Sequence, residues 1–360
     1  MRVSRRALKW PARCAWGRSK DSLFEGQNAL SELLAKRAAQ AFQTAQSGFY
    51  GLAPPPAASD YTLEIVNSLW GQTSYPWEAP FLETLAANYG AGLFKRDFMT
   101  QAQPTRLEIN QWVSAHTNDK IKDLLPAPAV TADTRLVLVN ALHLKLPWDA
   151  EFPKAATKPG PFTRSDRTQV SVPFMNRQAK LAYRDDGSAQ IVGLALSSRD
   201  LWVIITLPHP GVALGDYERS LRADSPALLV PTKEELVTLA LPKVTFTSPT
   251  FSLSAALRRL GMTQAFDPKR AHFEGMSKPP PGEIPLYVGD VVQKTMIAMQ
   301  ETGIEAAAAT AVLMMAGSAY LPHKEPTPIP MIVNRPYLIA IVDRPTGALL
   351  MLGHIEEPKE

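Results

Sequence analysis

The stretch from Glu301 to Pro336 constrains the fold of this chain more than any other, because it suits neither a long helix nor a central strand along its whole length. Its first part, ETGIEAAAATAV, favours a helix by propensity, since alanine loses least on entering a helix. Read with a period of two, Ile304 and the small residues after it share one face, whereas Glu305 places its charge on the other, as in a half-buried strand. Four prolines then exclude a continued helix or a central strand: Pro322, Pro326, Pro328 and Pro330. Two interpretations remain, a surface helix with a linker or a strand-forming segment that leads into an exposed, extended loop.

Composition and charge indicate a globular chain with one unusual end. With 360 residues, 45% of them hydrophobic and 20% charged, the chain can bury a sizeable core in one large or two medium domains. The net charge of +4 hides an asymmetry, because seven basic residues and no acid fall in residues 1–20, which leaves about −3 for the remainder. We interpret residues 1–26 as an atypical, solvated basic segment, since no binding motif accompanies its charge. No nucleic-acid partner is predicted.

The cysteine count and the hydropathy pattern limit redox chemistry and membrane insertion. The single cysteine, Cys14, cannot form an internal disulfide or a CxxC site. No apolar run is long enough to span a membrane, and the residues before Cys14 are too polar for the core of a signal peptide. The sequence therefore predicts no membrane span, and it contains no recognisable signal peptide.

The order of predicted elements favours the α+β class. The strongest strand runs from Thr134 to Leu146, TRLVLVNALHLKL, and is expected to be central in a sheet because its first half is apolar on both faces. Helices are predicted at 30–42, 80–89, 107–124 with a break near Thr117 to Asp119, 213–223 and 252–260. Further strands are predicted at 61–72, 91–98, 162–175, 189–196, 201–207, 236–241, 286–299, 336–343 and 348–354. Runs of strands with helices mainly in the N-terminal half are typical of α+β rather than of alternating βαβ folds.

No constellation of residues in the sequence points to catalysis or metal binding. The six histidines are scattered without HExxH or paired-ligand spacing, so each is interpreted as a surface or core residue. The sequence has no GxSxG elbow, and Gly90 and Gly92 lack the third glycine and the strand context of a dinucleotide site. We therefore predict no cofactor, no metal and no enzyme activity. An α+β enzyme would need a catalytic cluster that only the folded chain brings together.

The segment GDVVQKTMIAMQETGIEAAAATAV, followed by NRPYLIAIVDRPTGALLMLGHIEEP, resembles the hinge, reactive loop and C-terminal strands of the serpin family of protease inhibitors. Further landmarks occur in the family's order between about residues 28 and 358, including YTLEIVNSLWGQ and LRRLGMTQAFDPKRAHFEGM. By this resemblance the chain is identified as a member of the serpin family, of the bacterial type. The resemblance implies a serpin domain over residues 27–360, with a large central mixed β-sheet, additional sheets, helices clustered toward the N-terminal half, and an exposed reactive-centre loop at about 301–333.

The N-terminus departs from the family's pattern. Serpins normally begin with a helix, a strand and a buried second helix that bears an Asn-Val-Phe-Phe-Ser-Pro-like motif, and this pattern is not found before Tyr61. We expect either a natural variant or a truncated or wrongly started gene product. Because the buried helix helps the sheet to open in the family, its absence argues against inhibition.

The activity implied by the resemblance needs no catalytic residue of its own. A serine protease, or a cysteine protease, attacks the exposed loop and forms an acyl-enzyme; the cut loop then inserts into the central sheet as a new strand and the protease is trapped. The native fold is therefore expected to be metastable. The resemblance also implies a monomer in an extracellular or cell-envelope location. The alternative is a serpin-fold protein that does not inhibit and serves in binding or storage, or is inactive through N-terminal truncation.

The resemblance assigns the hinge and the sheet-opening region to particular residues. Ile304 is larger than the family's usual small hydroxyl residue, so we expect insertion to be retained but its first step to be slowed. A gap that receives residues 304 to about 315 is expected between the strands at 134–146 and 286–299. The predicted hinge comprises Glu301, Gly303, Ile304, Glu305, Ala306, Ala307, Ala308, Ala309 and Thr310. The predicted sheet-opening region comprises Asn140, Trp148 and Gln293, the last at a position where many members have histidine.

Two counts locate the scissile bond differently. Counting about seventeen residues from Glu301, which carry the protease about 55 Å at about 3.3 Å per residue, ends at Gly317. Counting back from Pro336 points near Glu325, which would make Lys324 the recognised residue. We favour the first count, because the hinge side fixes how far the protease travels, while extra length after the cut is tolerated. Small residues there suit elastase-like or subtilisin-like proteases better than trypsin-like ones. The candidate scissile region is therefore Met315, Ala316, Gly317 and Ser318.

Overall fold

The computed structural model describes residues 20–47, 57–89, 92–222, 230–279, 282–283, 285–304 and 327–359. The chain divides into two compact units, each assembled from segments that lie far apart in sequence. The first unit comprises Met1–Leu33, Glu64–His143 and Thr247–Met296, and the second comprises Leu34–Leu63, Leu144–Phe246 and Ile297–Glu360. A single serpin domain over residues 27–360 stays a prediction.

The α+β class is confirmed by the elements that form. The three longest helices in the described residues all end by His116, in keeping with the N-terminal clustering of helical patterns. The helices are α1 (Lys20–Ser47), α2 (Ala79–Tyr89), α3 (Phe98–His116), α4 (Leu214–Ser220) and α5 (Ser254–Arg259). The strands are β1 (Thr62–Gln72), β2 (Leu93–Arg96), β3 (Leu136–Pro147), β4 (Lys158–Thr163), β5 (Gln169–Asp185), β6 (Ala189–Ala195), β7 (Leu201–Pro208), β8 (Glu234–Pro242), β9 (Val244–Thr247), β10 (Phe251–Ser252), β11 (Val292–Gln293), β12 (Met296–Gln300), β13 (Gly303–Ile304), β14 (Ile329–Ile332), β15 (Tyr337–Asp343) and β16 (Ala348–Ile355).

The first unit is built around an apolar core shared by α3 and the neighbouring strands. Within this unit the strand order is β2-β1-β3, and the end of β1 runs parallel to β2. Trp70 of β1 is 1% exposed and stacks on Phe94 of β2 with 4.5 Å between the ring centroids. The beginning of β3 is therefore packed on one side by a strand that is fixed in the core. The buried side chains of this core are Trp70, Phe98, Ile109, Val113, Ile121, Leu124, Leu125, Val130 and Val139.

Helix α3 begins earlier than the apolar periodicity predicts and ends at His116, next to the predicted break. It begins at Phe98 rather than at 107, because the carboxylate of Asp97 caps it by accepting hydrogen bonds from the N–H and the hydroxyl of Thr100, at 3.3 and 2.5 Å. Pro104 lies inside the helix, and Gln101 departs from helical backbone angles, so its first turn joins the rest across a kink. The capping hydrogen bonds of Asp97 thus allow the helix to begin before 107, although the sequence there has no apolar stripe.

The second unit contains an eight-stranded sheet with strand order β14-β8-β5-β6-β7-β15-β16, in which β4 also pairs with β5. Neighbouring strands are antiparallel except β14, which runs parallel to β8, so the sheet is mixed. All seven residues of β15 are buried, which explains the continuous apolar sequence of this strand. A large mixed sheet and more than one sheet in the chain agree with what the family resemblance implies.

The prediction of one strand over 162–175 is wrong, because a tight turn divides the segment into β4 and β5. The carboxylate of Asp166 accepts hydrogen bonds from the N–H of Thr168 at 2.9 Å and from its hydroxyl at 2.6 Å. Arg167 adopts a positive φ of 69°, which closes the turn. The β-favouring residues on both sides concealed this turn in the sequence.

The prediction of one strand over 286–299 is also wrong, since only β11 and β12 form there. The carboxylate of Asp290 accepts hydrogen bonds from the hydroxyls of Ser252 and Ser254, each at 2.5 Å, and the described chain just before β11 does not pair as a strand. Thr295, between the two strands, exchanges hydrogen bonds with Ser248 instead of a strand neighbour. Side-chain and loop partners therefore compete with the sheet ladder along this apolar segment.

His354 of β16 makes the stability of the second unit depend on pH. Its ring lies 2.6 Å from the carboxylate of Glu218 in α4, and this hydrogen bond raises the pKa of His354 above its ordinary 6.5 even though burial opposes the shift. A raised pKa in the folded state stabilises the fold at pH values below 6.5, and this contribution is lost as the pH rises through the raised pKa. We expect the free energy of unfolding to fall by about 1 kcal/mol over that rise. Urea unfolding as a function of pH measures it, and Glu218→Gln should flatten the dependence.

Candidate functional site

The site is a turn that joins β12 to β13 in the second unit. Glu301 and Thr302 form the connection, and the strands on either side pair antiparallel, with Met299 opposite Ile304 and Gln300 opposite Gly303. On its other side β13 pairs antiparallel with the end of β3, where Ile304 lies opposite Leu146. The strand order in this unit is therefore β3-β13-β12-β9. We call residues 300–302 the hinge turn.

Ile304 fixes which face of the following chain would be buried. Its side chain is 2% exposed, between Leu146 and Met299, both of which are fully buried. In an extended strand every second side chain points to the same face. If the chain continues beyond Ile304 as a strand, residues 306, 308 and 310 therefore share the buried face, and residues 305, 307 and 309 lie on the other.

A short segment after β3 donates hydrogen bonds to the three successive carbonyl groups of the hinge turn. The N–H of Trp148 donates to the Thr302 carbonyl at 3.0 Å, and the N–H of Phe152 donates to the Glu301 carbonyl at 2.9 Å. The indole N–H of Trp148 donates to the Gln300 carbonyl at 2.8 Å. The two rings are buried and meet edge to face, with 6.1 Å between their centroids. We call residues 148–152 the anchor segment.

The side-chain carboxylate of Glu301 also links the hinge turn to neighbouring residues. It accepts a hydrogen bond from the hydroxyl of Thr157 at 2.9 Å and lies 3.5 Å from the ammonium of Lys243, while the residue is 9% exposed. Burial raises the pKa of Glu301, but a hydrogen bond from its own backbone N–H, the Thr157 hydroxyl and the charge of Lys243 together lower it below its ordinary 4.5. The turn therefore keeps a charged carboxylate with two side-chain partners at neutral pH.

The structure brings together four of the residues predicted for the hinge and the sheet-opening region. Glu301, Gly303, Ile304 and Trp148 meet in the hinge turn, β13 and the anchor segment. The other two sheet-opening residues belong to the first unit: Asn140 lies in β3, and Gln293 is exposed in β11, where it pairs with Phe251. The remaining hinge and scissile residues lie outside the described residues: Glu305, Ala306, Ala307, Ala308, Ala309, Thr310, Met315, Ala316, Gly317 and Ser318.

Sequence reasoning identified Trp148 but missed three other residues that contact the hinge turn. Phe152 belongs to the anchor segment, Thr157 lies directly before β4, and Lys243 lies between β8 and β9. Each meets Glu301 across a long sequence separation. One local signal was present, because the spacing of Trp148 and Phe152 places two large apolar residues around an otherwise polar, proline-bounded segment. For Thr157 and Lys243 no pattern of periodicity distinguishes them from surface residues.

Within the described ranges, no group of three or more His, Cys, Asp or Glu side chains is placed so that it could bind a metal ion. None of the helices in these ranges is both long enough and apolar enough to cross a membrane. The interactions of the hinge turn involve hydrogen bonds, one ion pair and burial, and these are suited to holding a strand rather than to transferring a proton or a group.

Comparisons with known proteins agree in one family. The family model for serpins, serine protease inhibitors, matches residues 14–358. Serpin B6 of Bos taurus is 34% identical over 308 residues, which cover 83% of this chain and 78% of that protein. The leukocyte elastase inhibitor of Equus caballus is 31% identical over 309 residues, with coverage of 83% and 78%. Among solved structures, thyroxine-binding globulin in complex with thyroxine has a similar fold, with a TM-score of 0.71, 21% identity, and coverage of 94% of this chain and 82% of that one.

Proposed function

This chain belongs to the serpin family, and on that premise we propose that it inhibits serine-type endopeptidases as a suicide substrate. The observation that supports this function best is the position of β13, whose two residues already lie between β3 and β12 directly after the hinge turn. Residues 305 onward, which follow β13, are those that the family resemblance assigns to the rest of the hinge and to the reactive loop. The chain therefore has the start of an inserted strand at the point where insertion would begin.

The chemical step uses the catalytic groups of the protease alone. Its serine oxygen attacks the carbonyl carbon of the scissile peptide bond in the loop, the C–N bond breaks, and the proton of the serine hydroxyl ends on the released amine. The protease is left joined to the loop by an ester. The cut loop then extends β13 between β3 and β12 and carries the protease with it. Hydrolysis of the ester must be slower than this movement for the protease to be trapped.

Insertion is favourable because the new strand gains partners on both sides. Each added residue can form backbone hydrogen bonds with its neighbouring strands, and every second side chain enters the face that already buries Ile304. Alanine and threonine at 306, 308 and 310 are small enough for that face. The uncut protein is then a metastable state, and the protein acts as an inhibitor and not as an enzyme.

The protease that fits best is elastase-like or subtilisin-like, and a cysteine protease is a further candidate. Small residues in the scissile region favour such enzymes, and one relative is named for inhibition of leukocyte elastase. A monomer suffices for this mechanism, because hinge, anchor segment and receiving strands belong to one chain. Family membership does not fix the compartment, so the extracellular or cell-envelope location is part of the proposal.

We expect cleavage within residues 315–318 in any trapped complex. A cut there gives the protease a travel of about 55 Å at about 3.3 Å per residue, close to the length of a fully inserted strand. Mass spectrometry of the released C-terminal peptide locates the bond. A peptide that begins at Glu325 would contradict this position and indicate a trypsin-like protease that recognises Lys324.

The proposed function is tested by incubating the protein with a panel of elastase-like, subtilisin-like, trypsin-like and cysteine proteases. A complex that survives boiling in SDS and contains both chains is the expected product with at least one small-residue-specific enzyme. Loss of that complex after prior cleavage of the loop serves as the control. Cleavage by every protease with no such complex would refute inhibition by trapping.

A second candidate function is a binding or storage role without inhibition. It is favoured by the similar fold of thyroxine-binding globulin, whose structure is a complex with thyroxine. The same panel separates the two functions, because a non-inhibitory protein is cut or left intact but never trapped.

A further inference from the structure

The anchor segment is itself held by a cation on a neighbouring strand. Arg177 of β5 is half-buried, and its guanidinium carbon lies 4.7 Å from the centroid of the Phe152 ring. Its Nη1 donates a hydrogen bond to the carbonyl of Ala150. Arg177 therefore contacts the anchor segment twice, once through a ring and once through the backbone.

These contacts are not explained by an ion pair. Asp149, the carboxylate next to Ala150, instead accepts a hydrogen bond from Arg199 at 2.9 Å. In the described part of the chain no carboxylate lies within ion-pairing distance of Arg177, and its Nε–H is buried without an acceptor. Burial lowers the pKa of Arg177 to about 10, although Asp149 raises it. Partial burial of a cation without a counterion costs free energy, and the contact with the Phe152 ring and the hydrogen bond to Ala150 offset part of that cost.

The anchor segment connects Arg177 to the hinge turn. Phe152, whose ring stacks on the guanidinium, donates its backbone N–H to the Glu301 carbonyl. At the other end of the segment, Trp148 donates its backbone N–H to the Thr302 carbonyl and its indole N–H to the Gln300 carbonyl. A shift of the segment would lengthen all three hydrogen bonds together. We propose that Arg177 is a positioning residue that holds the anchor segment against the hinge turn and so fixes the point from which the loop inserts. The effect on inhibition rests on the proposed function, whereas the effect on the hinge turn does not.

The test compares Arg177→Met with Lys180→Met, which removes an exposed charge from the same strand. Hydrogen exchange of the Trp148 and Phe152 amides reports directly on the two backbone bonds to the hinge turn. Arg177→Met should make these amides exchange about tenfold faster, because a cation–π contact and a hydrogen bond are both lost. Lys180→Met should leave them unchanged, and amides of β15 serve as an internal reference for global opening. Arg177→Lys keeps the charge but not the planar group, so it should also exchange faster, and it replaces Arg177→Met if that variant does not fold.

A second measurement tests whether loss of the Arg177 contacts weakens inhibition. If trapping occurs in the unaltered protein, Arg177→Met should raise the number of inhibitor molecules consumed per trapped protease about threefold, because insertion starts from a less defined point. Unchanged exchange at Trp148 and Phe152 in both Arg177 variants would overturn the positioning role, whatever happens to trapping. Faster exchange in a protein that never traps a protease would keep the positioning role and reject the proposed function instead.

Discussion

Replacing Ala308 with Arg should abolish the SDS-stable complex while leaving cleavage of the loop intact. Ile304 is buried between β3 and β12, and residue 308 lies on the same face by the period of two. An arginine there would have to leave water for a closely packed apolar interior, at a cost of several kcal/mol. Insertion would stop after about four residues, and the ester would then be hydrolysed before the protease is displaced.

The matched control is Ala307→Arg, one residue earlier on the opposite face. It adds the same charge and bulk to the loop but does not place them on the face of Ile304, so trapping should persist. Gel analysis of the complex after a fixed time with an elastase-like protease compares both variants with the unaltered chain. Equal amounts of complex in all three would contradict insertion in this register.

Replacing Asp343 with Ala should lower the free energy of unfolding by about 3–5 kcal/mol, because three hydrogen bonds to a buried charged group are lost at about 1.5 kcal/mol each. The carboxylate of Asp343 is fully buried and accepts hydrogen bonds from Arg37 Nε at 3.0 Å and from the N–H and hydroxyl of Thr346, at 3.2 and 2.5 Å. Loss of this carboxylate would remove the hydrogen bond between α1 and β15 and the two hydrogen bonds to the turn after β15. Urea unfolding followed by circular dichroism measures the change.

Asp200 provides the control for this substitution. It pairs with the same arginine at 2.6 Å, but its side chain is 34% exposed, so water can replace it. Asp200→Ala should therefore cost about 1 kcal/mol or less. Similar losses for the two variants would mean that burial of Asp343 does not set the strength of its interaction with Arg37.

The sequence predicted those parts of the fold that depend on local pattern. β3 was recognised because its apolar residues continue on both faces, and β15 because all of its residues suit a buried strand. The predicted hinge start, Gly303 and Ile304, forms a strand although the alanines after it favour a helix by propensity. In each of these cases the signal lies in residues that are adjacent in the chain.

Contacts across the chain explain what the sequence did not predict. Arg37 and Asp343 are 306 positions apart, and Lys243 and Thr157 reach Glu301 from separate elements, so no periodicity marks any of them as a partner. The predictions of one unbroken strand over 162–175 and over 286–299 were wrong for a different reason. In both segments a carboxylate, Asp166 or Asp290, binds nearby backbone or hydroxyl groups and ends the ladder, which a count of apolar residues does not register.

The central claim is that the chain after Ile304 becomes a strand between β3 and β12 once the loop is cut. The most direct measurement is the thermal midpoint of unfolding before and after cleavage confined to residues 305–326. Insertion would form about twelve backbone hydrogen bonds at about 1 kcal/mol each and bury two large apolar side chains, Val312 and Met314, at about 2 kcal/mol each, which corresponds to a rise on the order of 20 °C. A cleaved protein that unfolds at the same temperature as the intact one would contradict insertion, and with it inhibition by trapping.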